Sequence, residues 1–223
     1  MSELHLIIGN KAYSSWSLRP WIAMKANGLA FRETMIPIKQ PDTNARIRAF
    51  SPAAKVPVLL HGEVTVWESL AILDYLADTF PDKPWWPAEP AARALARAVA
   101  AEMHAGFSSL RGHMTMNLRA AVPNKSRPPE VNADIARIAQ IWADCRGRFG
   151  KAGPFLFGAF SNADAMYAPV VTRFKTYGVL ETLDDVSQGY CRAMLDFAPM
   201  REWYGAAASE GWSIPEYEAL SQS

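Results

Sequence analysis

Three serines, two tryptophans, a tyrosine and one arginine crowd into AYSSWSLRPW, residues 12–21, just after the apolar run LHLII. One serine before a helix is a cap. Three form a cluster of hydroxyls where the free amides and the positive end of the helix dipole also gather, a setting that stabilises an anion. Pro20 lacks an amide hydrogen and suits the first helical turn, which predicts Ser17 as the N-cap and leaves Ser14 and Ser15 in the loop before it. The same residues also read as ordinary caps in a polar turn. Serine nucleophiles need a base and an orienting acid, whereas His5 falls in a strand, His61 in a turn, and His104 and His113 in helical sequence. No G-x-S-x-G elbow is present either. The hydroxyls suit an anion carried by a ligand better than a nucleophile of the protein itself.

A second group lies in SPAAKVPVLLHGEVTVWESLAI, residues 51–72. Pro57 opens what reads as a central strand, where it removes a ladder donor. A cis Val56–Pro57 bond would turn the Val56 amide and carbonyl outward, able to pair with an extended peptide. At the following strand-to-helix junction, Ser69 and the first-turn amides suit a carboxylate and Glu68 suits an ammonium, the two groups of an α-amino acid end. An N-cap with a first-turn acid is the simpler alternative.

The elements that must position these groups change character along the chain. Through about residue 80, short β-like runs (LHLII, FRETMIPI, VPVLL, VTVW) alternate with helical stretches. One helix runs from about Ser17 to Ala26 and stops at Asn27-Gly28; a hairpin turns across His61-Gly62-Glu63; ESLAILDYLADTF closes the unit as a helix. The proline-rich FPDKPWWPAEP cannot continue a helix and reads as a linker. Beyond it the pattern is helical throughout: a long Ala-rich helix through ARALARAVAAEMHAGFSSLRGHMTMNLRAA, another after PPE, and one opening at Ser161 with a capping box to Asp164. The fold class is therefore a small α/β domain followed by a larger all-helical one.

Composition excludes several functions. The 23 basic and 22 acidic residues are interspersed, giving a net charge of +1 and no stripe for nucleic acid. No apolar run approaches the roughly 20 residues of a membrane span. MSELHLIIGN lacks a signal-type pattern and reads as the first strand of a cytoplasmic protein. Cys145 and Cys191, the two cysteines, read as buried structural thiols, and no metal site is expected.

The Ser-Ser-x-Ser-x-Arg segment, the Lys-Val-Pro and the Glu-Ser-x-Ala-Ile helix start, in this order and spacing, resemble the glutathione transferase superfamily. The serine loop is most similar to its serine-type, zeta-like branch, that of maleylacetoacetate isomerase-like proteins. The resemblance covers nearly the whole chain, including NGLAFRETMIPI and SNADAMYAPVVTRF. It implies a thioredoxin-like glutathione-binding domain over 1–82, a linker over 83–91, an all-helical domain with the electrophile site over 92–223, a homodimer, and glutathione as cosubstrate. By the same resemblance Ser14 holds the glutathione sulfur with Ser15 assisting, Val56 pairs with the cysteinyl backbone, Pro57 is the cis-proline, and Glu68 and Ser69 receive the γ-glutamyl group. Lys55 and Gln40 meet the glycyl end. A free thiol, with pKa ~8.5, is mostly protonated at neutral pH, so the protein need only favour the thiolate.

Trp16 departs from the branch, whose pattern has cysteine there. That argues against a cysteine-based mechanism and bears on isomerisation, because a bulky ring reshapes the site. On the long helix, Phe107, Arg111, Met114 and Asn117 recur at three to four residues, so they are expected to share a face lining the small-molecule electrophile site together with Trp16. Arg111, with Arg173, would suit an electrophile bearing a carboxylate. The function expected is attack by glutathione thiolate on an electrophilic carbon. A maleylacetoacetate-type cis-trans isomerase and a non-catalytic glutathione-binding module are the alternatives.

Overall fold

The computed structural model describes residues 2–123 and 126–220. The first seven elements are β1 (Leu4–Ile8), α1 (Ser15–Ala26), β2 (Arg32–Met35), α2 (Thr43–Arg48), β3 (Val58–His61), β4 (Val64–Trp67) and α3 (Ser69–Thr79). They build a four-stranded sheet of order β2-β1-β3-β4, with β1 parallel to β2 and antiparallel to β3. β3 and β4 form the expected hairpin, pairing His61 with Val64. All five residues of β1 are buried because the sheet is covered on both faces. Leu4, Leu6 and Ile8 join the main core against α1 and α3, while Ile7 faces Ile36, Ile47 and Val58 on the other side.

The remaining helices are α4 (Pro90–Ala105), α5 (Ser108–His113), α6 (Pro129–Phe149), α7 (Asn162–Thr176), α8 (Asp185–Asp196), α9 (Ala198–Ala208) and α10 (Pro215–Leu220). α7 is the central one, with every residue but Lys175 buried. Its start is the expected capping box. Asp164 accepts from the Ser161 amide at 2.8 Å and hydroxyl at 2.9 Å, and from the Leu156 amide at 3.0 Å. One apolar core runs from Leu4 of the sheet through α7 to Trp203 of α9. Cys145 and Cys191 are buried free thiols, and burial pushes the Cys145 pKa up to about 12.

Two expected helices are corrected. α1 begins at Ser15 with Ser14 as N-cap, so Pro20 lies inside the helix rather than in its first turn. The Ser17 hydroxyl holds the extra turn to the sheet by accepting the Gly9 amide at 3.0 Å. The long Ala-rich helix is broken at Gly106 and Phe107. A side chain on Gly106 would come within 2.8 Å of the Glu102 carbonyl, and Phe107 takes a left-handed φ of 58°. Phe107, Arg111 and Met114 therefore do not share one helical face. α4 starts at Pro90, where the Glu89 carboxylate accepts from the Ala91 and Ala92 amides.

Asp164→Ala should destabilise the fold by about 2–4 kcal/mol, since it strands three buried donors at once. Chemical denaturation of the variant beside the unmodified protein checks this.

Candidate functional site

The loop between β1 and α1 brings its serines under the sheet edge. Gly9 is required there, because a side chain would come within 2.7 Å of Ile38 and 3.0 Å of Ser14. Ser14 and Ser17 share a hydroxyl–hydroxyl hydrogen bond of 2.7 Å, and Ser15 accepts from Arg173 Nη2 at 3.2 Å. Both Ser14 and Ser15 are buried, yet both reach the wall of a cavity of about 370 Å³.

That cavity is also walled by Trp16, Lys55, Val56, Arg111 and Arg173. A second cavity, of about 270 Å³, is lined by Trp16, Lys55, Val56, Pro57, Trp67, Glu68 and His104. Trp16, Lys55 and Val56 stand on both walls, so the two spaces meet at the Val56–Pro57 bond, which is cis. The Val56 amide and carbonyl have no backbone partner among the described residues. Glu68 takes a positive φ of 68° as the N-cap of α3, and its carboxylate stands half-exposed, 3.8 Å from His104 Nε2. Behind it the Ser69 hydroxyl is buried without a hydrogen-bond partner among the described residues.

Trp16 organises the cationic side of the site. The Arg19 guanidinium stacks over its ring at 3.9 Å, Arg111 lies 5.5 Å from the ring centroid, and His104 meets the ring edge-on at 5.4 Å. Among the described residues, Arg19, Arg111 and Arg173 have no carboxylate in salt-bridge range. Burial followed by Arg173 and Arg111 drives the Arg19 pKa well below its ordinary value; burial and then Arg111 bring Arg173 down to about 10. At about 10, Arg173 remains a cation at neutral pH. Burial and the neighbouring Arg19 lower the pKa of His104, against the pull of Glu68, so its contact with Glu68 is that of a largely neutral ring.

Some expected site residues stand elsewhere. Gln40 lies on neither cavity wall: its amide donates to Thr43 Oγ1 at 2.9 Å in a turn, and its neighbour Lys39 takes the wall position. Phe107 and Met114 are core residues, and Met114 reaches the site only through its carbonyl, which accepts from Arg173 Nε at 2.7 Å. Thr115 and Met116 line the cavity in their place. Tyr13, His104 and Tyr217 were not expected from sequence and are also wall residues. Arg19 could have been suspected, as the arginine of the serine segment itself.

Family models match two stretches of the chain: the glutathione S-transferase N-terminal domain over residues 13–79 and the glutathione S-transferase C-terminal domain over residues 128–206. A probable maleylacetoacetate isomerase of Caenorhabditis elegans is 31% identical over 105 residues, 47% of this chain and 49% of that protein. Glutathione S-transferase Z2 of Arabidopsis thaliana is 24% identical over 152 residues, 62% of this chain and 67% of its own. The chain spans about half the length of the worm relative and 38% of Glutathione S-transferase 1 from Dianthus caryophyllus. A glutathione transferase homolog from Burkholderia, crystallised with bound glutathione, superposes with a TM-score of 0.70 at 19% identity, over 94% of this chain and 100% of that one. The thioredoxin-like and helical halves thus follow a known arrangement.

Ser17→Ala leaves the buried Gly9 amide without its acceptor and should destabilise the protein by about 1–3 kcal/mol. Thermal and denaturant unfolding measure it.

Proposed function

We infer the function from the family, for the chain belongs to the glutathione S-transferases, and we propose that it activates the glutathione thiol for attack on a small electrophile. The observation that carries this reading is the junction of the two cavities at Val56, with Ser14 and Ser15 on one side and Glu68 on the other. An extended tripeptide laid across that junction pairs its cysteinyl backbone with Val56. Its γ-glutamyl ammonium then meets Glu68, its γ-glutamyl carboxylate the orphan Ser69 hydroxyl, and its glycyl end Lys55, with Lys39 nearby. The thiol enters the larger cavity beside Ser14 and Ser15, at the N-terminus of α1.

The chemistry follows from that placement. The thiol proton passes to solvent, and the hydroxyls and α1 amides hold the thiolate left behind. The thiolate forms a carbon–sulfur bond with an electrophile held against Arg111, Thr115, Met116 and Tyr217. Either a leaving group departs, or the double-bond electrons move onto a conjugated carbon that solvent protonates. If the adduct instead rotates about the new single bond and expels the thiolate, the net result is cis-trans isomerisation. Arg111 on the cavity wall and the names of the isomerase relatives support that second reading without raising it above the first. The electrophile in either case carries a carboxylate.

The domain limits of 1–82 and 92–223, the homodimer and the cytoplasmic location belong to the same proposal. The outer edge of the sheet supports the homodimer, since Val64 and Trp67 on β4 are each 43% exposed. No helix among the described residues is long and apolar enough to cross a membrane.

Calorimetric titration of glutathione, with the ultraviolet thiolate band followed across pH in the same samples, tests the reading. Binding with a lowered thiol pKa is expected; binding without that shift would make the protein a non-catalytic glutathione module, and no binding would remove the function. Glu68→Ala should raise the glutathione Kd tenfold or more, as loss of a charge-assisted contact worth about 1.5–3 kcal/mol requires. Arg111→Leu should reduce kcat/KM for acidic electrophiles more than for neutral ones in a matched series, and equal losses would remove the carboxylate assignment.

A further inference from the structure

The two serines at the sulfur position differ in what stands behind them. Ser14 faces another hydroxyl, and in the Ser14–Ser17 pair either oxygen can donate. Ser15 faces a guanidinium, which has donors and no acceptor. In that bond the Ser15 oxygen must accept, so its own proton is free to point into the cavity. Ser14 can serve a ligand only when Ser17 donates to it, an orientation the Gly9 amide permits but does not impose.

Arg173 is built to keep this arrangement. Its Nε donates to the Met114 carbonyl at 2.7 Å and its Nη1 to the Pro169 carbonyl at 3.2 Å, which fixes the plane of the guanidinium and aims Nη2 at Ser15. The side chain is 4% exposed and has no ion-pair partner among the described residues. A buried guanidinium held by carbonyls keeps its charge directed at the hydroxyl it touches. Three of its five N–H donors are so engaged, the one toward Ser15 among them.

We propose that Ser15 is the charge-assisted donor to the glutathione sulfur and that Arg173 is its positioning residue, acting through the Ser15 hydroxyl. The inference rests on glutathione being the ligand. A hydroxyl that accepts from a cation is a stronger donor to a thiolate than one that accepts from another hydroxyl. Ser15 keeps its proton throughout; the thiol proton goes to solvent. The other titratable or charged groups facing this position are Arg19 of α1, Arg111 of α5, Tyr177 at the end of α7 and Tyr217 of α10, with Tyr13, Lys39 and Lys55 on the same cavity wall. None of them is a carboxylate. Asp134 reaches only as far as Arg111.

The test is the pKa of bound glutathione, read from the thiolate band in the unmodified protein, Ser15→Ala, Arg173→Met and the double variant. Calorimetry comes first: if the unmodified protein binds no glutathione, the transferase reading fails and this inference with it. Given binding, Ser15→Ala and Arg173→Met should each raise the bound thiol pKa by about one unit, and the double variant should shift it no further than Ser15→Ala alone. Shifts that add would mean that Arg173 acts by its field and not through Ser15. An unchanged thiol pKa in Ser15→Ala, or in a folded Arg173→Met, would overturn the proposal while leaving the transferase reading intact. Arg173→Lys keeps the charge and serves if Arg173→Met does not fold; it should recover part of the wild-type thiol pKa, and a loss as complete as that of Ser15→Ala would overturn the role of the charge.

Discussion

Helix α1 has almost no solvent face, and the rest of the site depends on that constraint. Nine of its residues are buried, among them Ser15, Ser17 and Arg19, because the sheet covers one side of the helix and α7 the other. Every polar group buried on it has to find a partner or remain a cost of a few kcal/mol. Ser17 finds the Gly9 amide, Arg19 the Met166 carbonyl and the face of Trp16, and Ser15 the guanidinium of Arg173. Two of these four partners come from α7, so the packing of the two halves and the arrangement at the serines are one.

The charge balance of that arrangement decides which effect stabilises an anion there. A helix N-terminus supplies about half a unit charge and about 0.3–1 kcal/mol at an exposed site, whereas a hydrogen bond to a charged group contributes about 1.5–3 kcal/mol. After burial, Arg173 and Arg111 lower the Arg19 pKa and Arg111 that of Arg173, and none of the three has a carboxylate in salt-bridge range among the described residues. Among the described residues, the two buried Nη atoms of Arg19 have no hydrogen-bond partner. An anion entering the neighbouring cavity relieves part of that repulsion. On the proposed reading, the arginines, more than the helix dipole, favour a thiolate over a thiol in that cavity.

The parts of this organisation that were legible in the sequence are those set by local chemistry. The alternating strands, the turn at Gly62, the cis bond before Pro57 and the Ser161–Asp164 box each depend on residues close together in the chain. The break at Gly106 was hidden because the Ala-rich pattern on both sides outweighs one glycine, and the left-handed Phe107 that completes the break has no propensity signal of its own. Pro20 misled in the opposite direction: it points to a first turn, but the Ser17–Gly9 contact extends the helix beyond it. His104 and Tyr217 were invisible because packing alone brings them to the cavities.

The C-terminal segment completes the argument from the far end of the chain. The Glu210 carboxylate accepts from the Lys11 and Ala12 amides at 2.6 and 3.0 Å, just ahead of the serines. Arg119 donates to the Glu210 and Trp212 carbonyls and to the Tyr13 hydroxyl, which in turn donates to Glu218. Burial and then the Glu218 contact raise the Tyr13 pKa, so the phenol keeps its proton and this chain of donors its direction. The loop before the serines is therefore tied to the C-terminal segment, while the first turn after it is tied to the sheet by Ser17 and to α7 by Arg173. Hydroxyls fixed in this way need no reorganisation when a thiolate forms beside them, and donors aimed beforehand at developing charge stabilise it far better than mobile ones. A substitution of Glu218 in α10, which lies on neither cavity wall, thus acts on the same serine geometry as one in α1.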